Sequence, residues 1–366
     1  MRVGFDITPL RAPRSGIGTY AANLLDELGR QADPEIVPLA NFPIGRHAFG
    51  PKHTFQLNKT VWMQAVLPWQ LARLGADVCH FTNSVASWCT PCPSIVTIHD
   101  TTLWLFPEHH PRRRLLSMRP VIPLAARRAK AVIAVSDAAK RDIVRILKVP
   151  ADRVHVVYEA AAPCFQPLVG DALLTAVRRR YRLPDRFVLH VGTIEPRKNL
   201  VRLLEAYSLL RRDGNRSHAL VLVGNRGWKD ADVFSTVERL GLEGLVHVLG
   251  YVPTEGLVAL YNLTDSLAYP SLYEGFGLPV VEAMACGAPV VASRCGSIPE
   301  VAGSAAEFVE ANDVESIAAG LRHVLNDPER RAELRLRGRA RAASFSWAAA
   351  AEQTRRVYDA VAAAAS

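Results

Sequence analysis

Two glutamates separated by seven residues, Glu274 and Glu282, carry the densest chemistry in this chain. They lie in Tyr269-Pro270-Ser271-Leu272-Tyr273-Glu274-Gly275-Phe276-Gly277-Leu278-Pro279-Val280-Val281-Glu282-Ala283-Met284-Ala285-Cys286-Gly287. The pattern predicts a short strand through Leu267 to Tyr269, a Gly-rich loop, a helix from about Leu278 to Cys286 and a second strand over Pro289 to Ala292. Such a unit exposes backbone N–H groups where the loop opens the helix, a site suited to an anionic or hydroxyl-rich ligand. Glu274 would enter the loop, and Glu282 would sit about a turn inside the helix. Carboxylates near a helix start also favour its dipole with no ligand at all, but glycines and prolines at this spacing serve no generic helix.

A second segment, Gly192-Thr193-Ile194-Glu195-Pro196-Arg197-Lys198-Asn199, follows a predicted strand. Two cations beside a helix start can neutralise a diphosphate, Arg197 as a planar fork and Lys198 as a point charge. Solvated capping charges are the plainer alternative. Ile98-His99-Asp100 falls at the end of another predicted strand, and the carboxyl end of a strand in a doubly wound sheet is where ligands gather. Asp100 would orient the ring or cap the next turn. Near the amino terminus, Gly16-Ile17-Gly18 opens a helix after the loop Pro9-Leu10-Arg11-Ala12-Pro13-Arg14-Ser15. Gly16 and Gly18 would let backbone approach a ligand closely, although a packing turn would use them too. A dinucleotide fingerprint fits poorly there, because the glycines do not follow the strand at once and Ile36-Val37-Pro38-Leu39-Ala40 ends without an acid.

The elements that must position these residues alternate strand and helix throughout. In the first half strands are predicted at Val3 to Ile7, Val78 to Phe81, Ser94 to His99, Ala131 to Val135 and Val154 to Val157. The second half restarts at Phe187 to Gly192 and continues with Ala219 to Val223, Val246 to Leu249, Ser266 to Ala268, Pro289 to Ala292 and Glu307 to Val309. That alternation predicts an α/β protein of two Rossmann-like, doubly wound parallel-sheet domains. Pro163, Pro167, Gly170 and Pro184 mark the junction. Domains are expected over 1–165 and 166–345, with a terminal helix over 346–366. Ser136 should cap a helix. Trp62, Leu67 and Trp69 fall on or beside an apolar helix and read chiefly as core.

With 366 residues the chain can build two ordinary cores. Residues 1–165 hold 20 Lys+Arg against 12 Asp+Glu and the remainder 24 against 23, so the first half carries nearly all of the formal charge of +9. Its densest run is Arg112, Arg113, Arg114, Arg119, Arg127, Arg128 and Lys130. Such a surface could meet an anionic leaflet or a phosphate-bearing substrate, or be merely a solvated helix face. Nucleic acid is not expected, because no aromatic residues interleave with the run. The opening residues read as a buried strand rather than a signal peptide, and no run approaches the length that spans a bilayer. A cytoplasmic protein with reduced cysteines is therefore expected. Cys89 and Cys92, with Cys79 nearby, lack the partners of a tetrahedral zinc site, and no Asp-x-Asp clamp falls in a suitable loop. Neither a metal nor another cofactor is expected.

The Glu274 to Glu282 segment resembles the Glu-x7-Glu motif of the retaining glycosyltransferases of family 4, also called group 1, whose fold is the two-domain GT-B type with both domains facing a cleft. The resemblance implies that Glu274 holds donor-sugar hydroxyls, that Glu282 holds the nucleotide ribose, and that backbone amides around Phe276, Gly277 and Leu278 meet sugar and phosphates. It places Gly16 and Gly18 over the donor phosphates, gives His99 a contact to the donor sugar, and sends Lys198 to the diphosphate. Family members often carry an arginine directly after the glycine; here that position is Thr193, which leaves Arg197 as the second cation. The final helix, about Trp347 to Ala364, is similar to the family's terminal helix, which packs back on the first domain. Gly296-Ser297-Ile298-Pro299-Glu300-Val301 matches its next loop-to-helix segment, with Glu300 as a helix-start residue.

What the resemblance implies is transfer of a sugar, with retention and without a metal, from a nucleotide sugar to a glycan or lipid-linked acceptor in bacterial-type polysaccharide or glycolipid synthesis. Thr193 to Asn199 and Gly224-Asn225-Arg226-Gly227-Trp228 are similar to segments of members that use GDP-mannose. A peripheral position on the inner face of the plasma membrane would suit the basic first domain. The rival readings are a NAD-dependent dehydrogenase, a sugar-nucleotide epimerase, and a non-catalytic binding module. The missing ribose acid argues against the first, the Glu274 to Glu282 motif against the first two, and the presence of both Glu274 and Lys198 against the third.

Overall fold

The computed structural model describes residues 1–11, 16–42, 59–170, 172–214 and 217–364. They form two compact units: Met1–Leu105 with Arg112–Glu159 and Ser346–Ser366, and Phe106–Pro111 with Ala160–Phe345.

The first unit holds β1 (Arg2–Asp6), β2 (Glu35–Leu39), β3 (Val78–Phe81), β4 (Ser94–Ile98), β5 (Ala131–Ala134) and β6 (Val154–Val156), in the order β2-β1-β3-β4-β5-β6. Every pairing is parallel. The inner strands β3, β4 and β5 are buried along their whole length, as apolar runs covered on both faces must be. Pro38 is tolerated in β2 because that strand pairs only with β1 and needs no donor on its outer side.

The final helix, Trp347–Ala363, belongs to this unit. Ser346 caps it by accepting from the Ala349 N–H at 3.1 Å. It buries Trp347, Ala350, Ala351, Thr354, Val357, Tyr358 and Val361, a stripe at helical spacing whose alanines permit close approach. Tyr358 closes the stripe by a 2.7 Å hydrogen bond to Nδ1 of His80 in β3. Ser136 accepts from the Ala139 N–H at 3.0 Å and so caps its helix. Trp62 and Leu67 are buried, but Trp69 is 57% exposed, with the Arg73 guanidinium over its ring, which corrects the expectation that it packs in the core. The basic run is also divided: Arg119 donates to the Leu103 carbonyl, Arg127 to that of Leu147 and Arg128 to that of Trp88, whereas Arg112, Arg113 and Arg114 are exposed.

The second unit holds β7 (Phe187–Val191), β8 (Ala219–Val223), β9 (Val246–Gly250), β10 (Ser266–Tyr269), β11 (Val290–Ser293) and β12 (Glu307–Val309), again wholly parallel, in the order β12-β11-β10-β7-β8-β9. The chain runs outward from β7 through β8 and β9, then returns to the other side of β7 as β10. The β7–β10 neighbours are thus the switch point, where open α/β sheets bind ligands beyond their carboxyl ends. The helix Leu200–Arg212 buries Leu200, Leu203, Leu204, Tyr207 and Leu210 against this sheet. Phe106–Pro111 joins the unit through Trp228, whose Nε1 donates to the His109 carbonyl at 2.6 Å, and Lys229, which donates to that of Glu108.

Candidate active site

The loops leaving β7 and β10 meet because their strands are paired, Val188 with Ser266 and Leu189 with Leu267. Leu272 N–H donates to the Arg197 carbonyl at 2.9 Å. Asn199, in the left-handed region at φ 60°, gives its side-chain amide to the carbonyls of Pro270 at 3.0 Å and Ala311 at 2.6 Å. A polar side chain thus ties three loops where backbone pairing has ended.

Four charged side chains converge there. Glu274 accepts from Lys198 Nζ at 2.6 Å on one oxygen and from the Arg197 guanidinium at 2.7 Å on the other. Arg197 also donates to Glu195 at 2.6 Å and to the Tyr273 carbonyl at 2.8 Å, and Lys198 to the Tyr269 hydroxyl at 2.9 Å. Glu195, Lys198 and Glu274 are each no more than 6% exposed. Buried Lys198 and part-buried Arg197 therefore stand against two buried carboxylates, which balances the charge. Burial alone would raise the Glu274 pKa, but Arg197 and Lys198 hold it down at about 2. Burial lowers that of Lys198, against the pull of Glu274.

The backbone beneath this cluster is equally specific. Gly277, at φ +97°, turns the chain into the helix Leu278–Ala285, whose start has no side-chain cap. Gly296 has φ +58°, and a Cβ there would lie 2.5 Å from the Glu274 carbonyl oxygen, so no side chain fits without moving the loop. Ser297 then donates to the Glu274 and Phe276 carbonyls at 3.1 and 2.8 Å. Phe276 is buried edge-on to Phe345, and Leu278 is the first helical residue. Glu282 lies one turn on, buried, accepting from the Tyr261 hydroxyl at 3.0 Å. Thr193 is exposed on the β7 exit. Asp230-Ala231-Asp232, an Asp-x-Asp sequence, opens the helix Ala231–Arg239, with Asp230 paired to Arg226 at 2.6 Å.

The other proposed site residues lie in the first unit. Gly16 is exposed and Gly18 buried at the start of the helix Gly16–Gly29; residues 12–15 of the preceding loop lie outside the described residues. His99, just past β4, has Nε2 at 3.0 Å from the Thr82 carbonyl oxygen and Nδ1 at 3.2 Å from a Glu159 oxygen. Asp100 accepts from the Thr102 N–H at 3.0 Å and hydroxyl at 2.5 Å, so it caps the next turn. Glu159, Glu195, Tyr261 and Tyr269 bear on these sites although sequence reasoning gave them no role. For Glu195 a signal existed, a carboxylate in the same short turn as two cations; for Glu159, 60 residues from His99, there was none. Among the described residues, no group of three or more His, Cys, Asp or Glu side chains is placed to hold a metal ion.

Two parallel α/β sheets, the second carrying its Glu-x7-Glu segment at the switch point, define the GT-B class of glycosyltransferases. Residues 14–161 match the profile described as Glycosyltransferase Family 4 and residues 177–341 that of Glycosyl transferases group 1. The chain belongs to this family of glycosyltransferases, which move a sugar from a nucleotide-sugar donor to an acceptor. It is 39% identical over 266 residues to the O-antigen chain mannosyltransferase B of Escherichia coli, covering 72% of this chain and 70% of that one. It is 31% identical over 274 residues to the serotype-specific mannosyltransferase WbdA of Escherichia coli, covering 73% of this chain and 33% of that one. The sucrose-phosphate synthase of Thermosynechococcus elongatus shares the fold, with a TM-score of 0.79 over 100% of both chains at 20% identity.

Proposed function

We propose that this chain transfers mannose from GDP-mannose to a glycan or lipid-linked saccharide in bacterial-type polysaccharide or glycolipid synthesis, retaining the anomeric configuration and using no metal. The observation that carries it is the cluster of buried Glu195, Lys198 and Glu274 with part-buried Arg197 at the switch point of a family 4 sheet. The sugar is chosen from the two Escherichia coli relatives, both named mannosyltransferases. Lys198 and Arg197 receive the diphosphate together with the start of the Leu278–Ala285 helix. Glu274 takes sugar hydroxyls, Glu282 the ribose and His99 the sugar, while the backbone at Gly16, Gly18, Thr193, Phe276, Gly277 and Leu278 lines the donor.

In the transfer an acceptor oxygen bonds to the anomeric carbon as that carbon's bond to the diphosphate breaks. The acceptor proton passes to the departing diphosphate. No protein nucleophile takes part, so attack comes on the face that the leaving group vacates and configuration is retained. The positive charge that stabilises the leaving group comes from side chains, the basis of the metal-free reading.

Thermal unfolding with GDP-, UDP- and dTDP-sugars tests the donor. A ligand at a hundred times its dissociation constant stabilises a fold by about 2.7 kcal/mol, and GDP-mannose should do so. GDP release with a mannose-terminated saccharide as acceptor should persist in excess EDTA. Stabilisation by UDP-sugars alone overturns the donor, and complete loss in EDTA restored by magnesium or manganese overturns the metal-free mechanism.

The first unit offers a second surface, for an anionic membrane beside a lipid-linked acceptor. The helix Arg112–Met118 buries none of its residues, and Leu116 is 80% exposed beside three arginines. Each Lys or Arg near an anionic leaflet contributes about 1 kcal/mol of attraction. Among the described residues no helix is long and apolar enough to cross a membrane. The protein should sediment with vesicles containing anionic lipid and be released by salt. Equal binding to neutral vesicles, or binding to neither, removes the membrane.

A further inference from the structure

Glu159 is the residue at which the chain leaves the first unit, just beyond β6, and its carboxyl is buried against the His99 ring. Both acceptors around that ring are fixed. A backbone carbonyl such as that of Thr82, 3.0 Å from Nε2, can only accept, and the Glu159 carboxyl oxygen lies 3.2 Å from Nδ1. Nε2 therefore carries a hydrogen, and against a carboxylate Nδ1 carries one too, the state of an imidazolium. The edge-on ring of Tyr20, 4.9 Å between centroids, completes its packing.

We propose that Glu159 is the positioning residue for His99: its carboxylate turns both ring N–H bonds into the protein and holds the ring cationic, so that His99 serves transfer as a fixed charge and not as a proton acceptor. The proposal rests on the reading of His99 as a site residue. A fixed charge beside the bond between sugar and diphosphate, aimed before the reaction, stabilises the negative charge that develops on the departing diphosphate oxygen without reorganising. A ring with both N–H bonds committed has no lone pair to offer an acceptor proton.

The surroundings agree. Burial lowers the His99 pKa, but the hydrogen bond and charge of Glu159 outweigh it, with smaller help from the Thr82 carbonyl and Asp100, and the net direction is upward. His80, on neighbouring β3, is pushed by burial and then by the His99 charge down to about 3, so it stays neutral. Tyr20 is raised by burial and stays a neutral phenol, its hydroxyl 2.9 Å from Thr97. Asp100 spends one oxygen on Thr102. Glu159 is a carboxylate in hydrogen-bond contact with the ring.

Glu159→Gln separates charge from geometry, because its amide can donate to Nδ1 while Nε2–H still donates to Thr82. Glu159→Asp keeps the charge with a shorter reach. In protein carrying 15N-labelled histidine, with His99 assigned from His99→Gln, the wild-type ring should titrate above the ordinary value of about 6.5. In Glu159→Gln its midpoint should fall by at least one pH unit, with a Tm close to wild type. Under transfer conditions kcat should fall at least tenfold near pH 7.5, with little change in donor KM. The alkaline fall of kcat should move to lower pH, and Glu159→Asp should restore part of both readouts.

A wild-type His99 midpoint at or below the ordinary value overturns the proposal, and this result requires neither variant to fold. So does an unmoved midpoint or an unmoved pH profile in Glu159→Gln. The ring titration needs no turnover. If the midpoint moves as expected while wild type transfers no sugar from any donor, Glu159 still positions His99 and it is the proposed function that fails.

Discussion

Glu274→Gln is expected to lower kcat by about 10²- to 10³-fold, the scale seen when one group preorganised for a transition state is removed, and at the same time to tighten the binding of free GDP. The first effect follows from the proposed contact to sugar hydroxyls, which strengthens during transfer. The second follows from the cluster. Both carboxylate oxygens of Glu274 are occupied by cations, Lys198 at 2.6 Å and Arg197 at 2.7 Å. An uncharged glutamine leaves buried Lys198 and part-buried Arg197 with Glu195 alone. Removing one partner of a buried ion pair costs about 3–5 kcal/mol, so the free variant should melt well below wild type. A diphosphate then replaces the missing negative charge, and GDP should restore much of the lost Tm.

The stability difference should depend on pH in a stated direction. Because the folded Glu274 pKa is held near 2, below the ordinary 4.5, its ionisation stabilises the fold above about pH 4.5 and that contribution is lost as the pH falls toward 2. The gap in Tm between wild type and Glu274→Gln should therefore be widest above pH 4.5 and shrink in acid. Calorimetric titration with GDP and thermal melts across that range check both expectations. If Glu274→Gln weakens GDP binding as Lys198→Ala does, or leaves turnover unchanged, the sugar and phosphate subsites are wrongly assigned.

Lys198→Ala should act in the opposite sense on the nucleotide. Its ammonium is the most deeply placed cation of the cluster, in contact with Glu274 and the Tyr269 hydroxyl. Without it GDP should bind at least tenfold more weakly, about 1.4 kcal/mol, and kcat/KM should fall by about 10²-fold or more because, in the proposed reading, the leaving group loses one of its two cations. The free protein keeps Arg197 on Glu274, so its loss of Tm should be smaller than that of Glu274→Gln. Calorimetry with GDP and UDP and initial rates with the donor are the measurements. GDP affinity equal to wild type would remove Lys198 from the phosphate subsite.

The fold class was legible because parallel strands buried on both faces leave short apolar runs, and β3, β7 and β8 stand where such runs do. The Ser136 cap was legible for an equally local reason: its side chain reaches a donor three residues away. The role of a tryptophan was less so. Trp69 shares its helix with buried Leu67 and Leu71, yet faces outward with Arg73 over its ring. Likewise the arginine run looked uniform, but Arg119, Arg127 and Arg128 are spent on backbone carbonyls from 16 to 40 residues away.

At the candidate site the sequence by itself determined which groups were on hand: a carboxylate in a glycine loop, two cations after a strand, a histidine at a strand end. Strand periodicity and turn chemistry act over a few residues, so they place such groups at the ends of strands and no further. Tertiary structure decided their states. Arg197 bridges Glu195 and Glu274, the second 77 residues away, and Lys198 reaches Glu274 across 76. Glu159 meets His99 across 60. Whether a carboxyl ionises or an imidazole keeps both hydrogens depends on the distance to its partners and on the water excluded around it. Those quantities exist only once the β7 and β10 loops, or β4 and the segment after β6, have been brought together by their sheets.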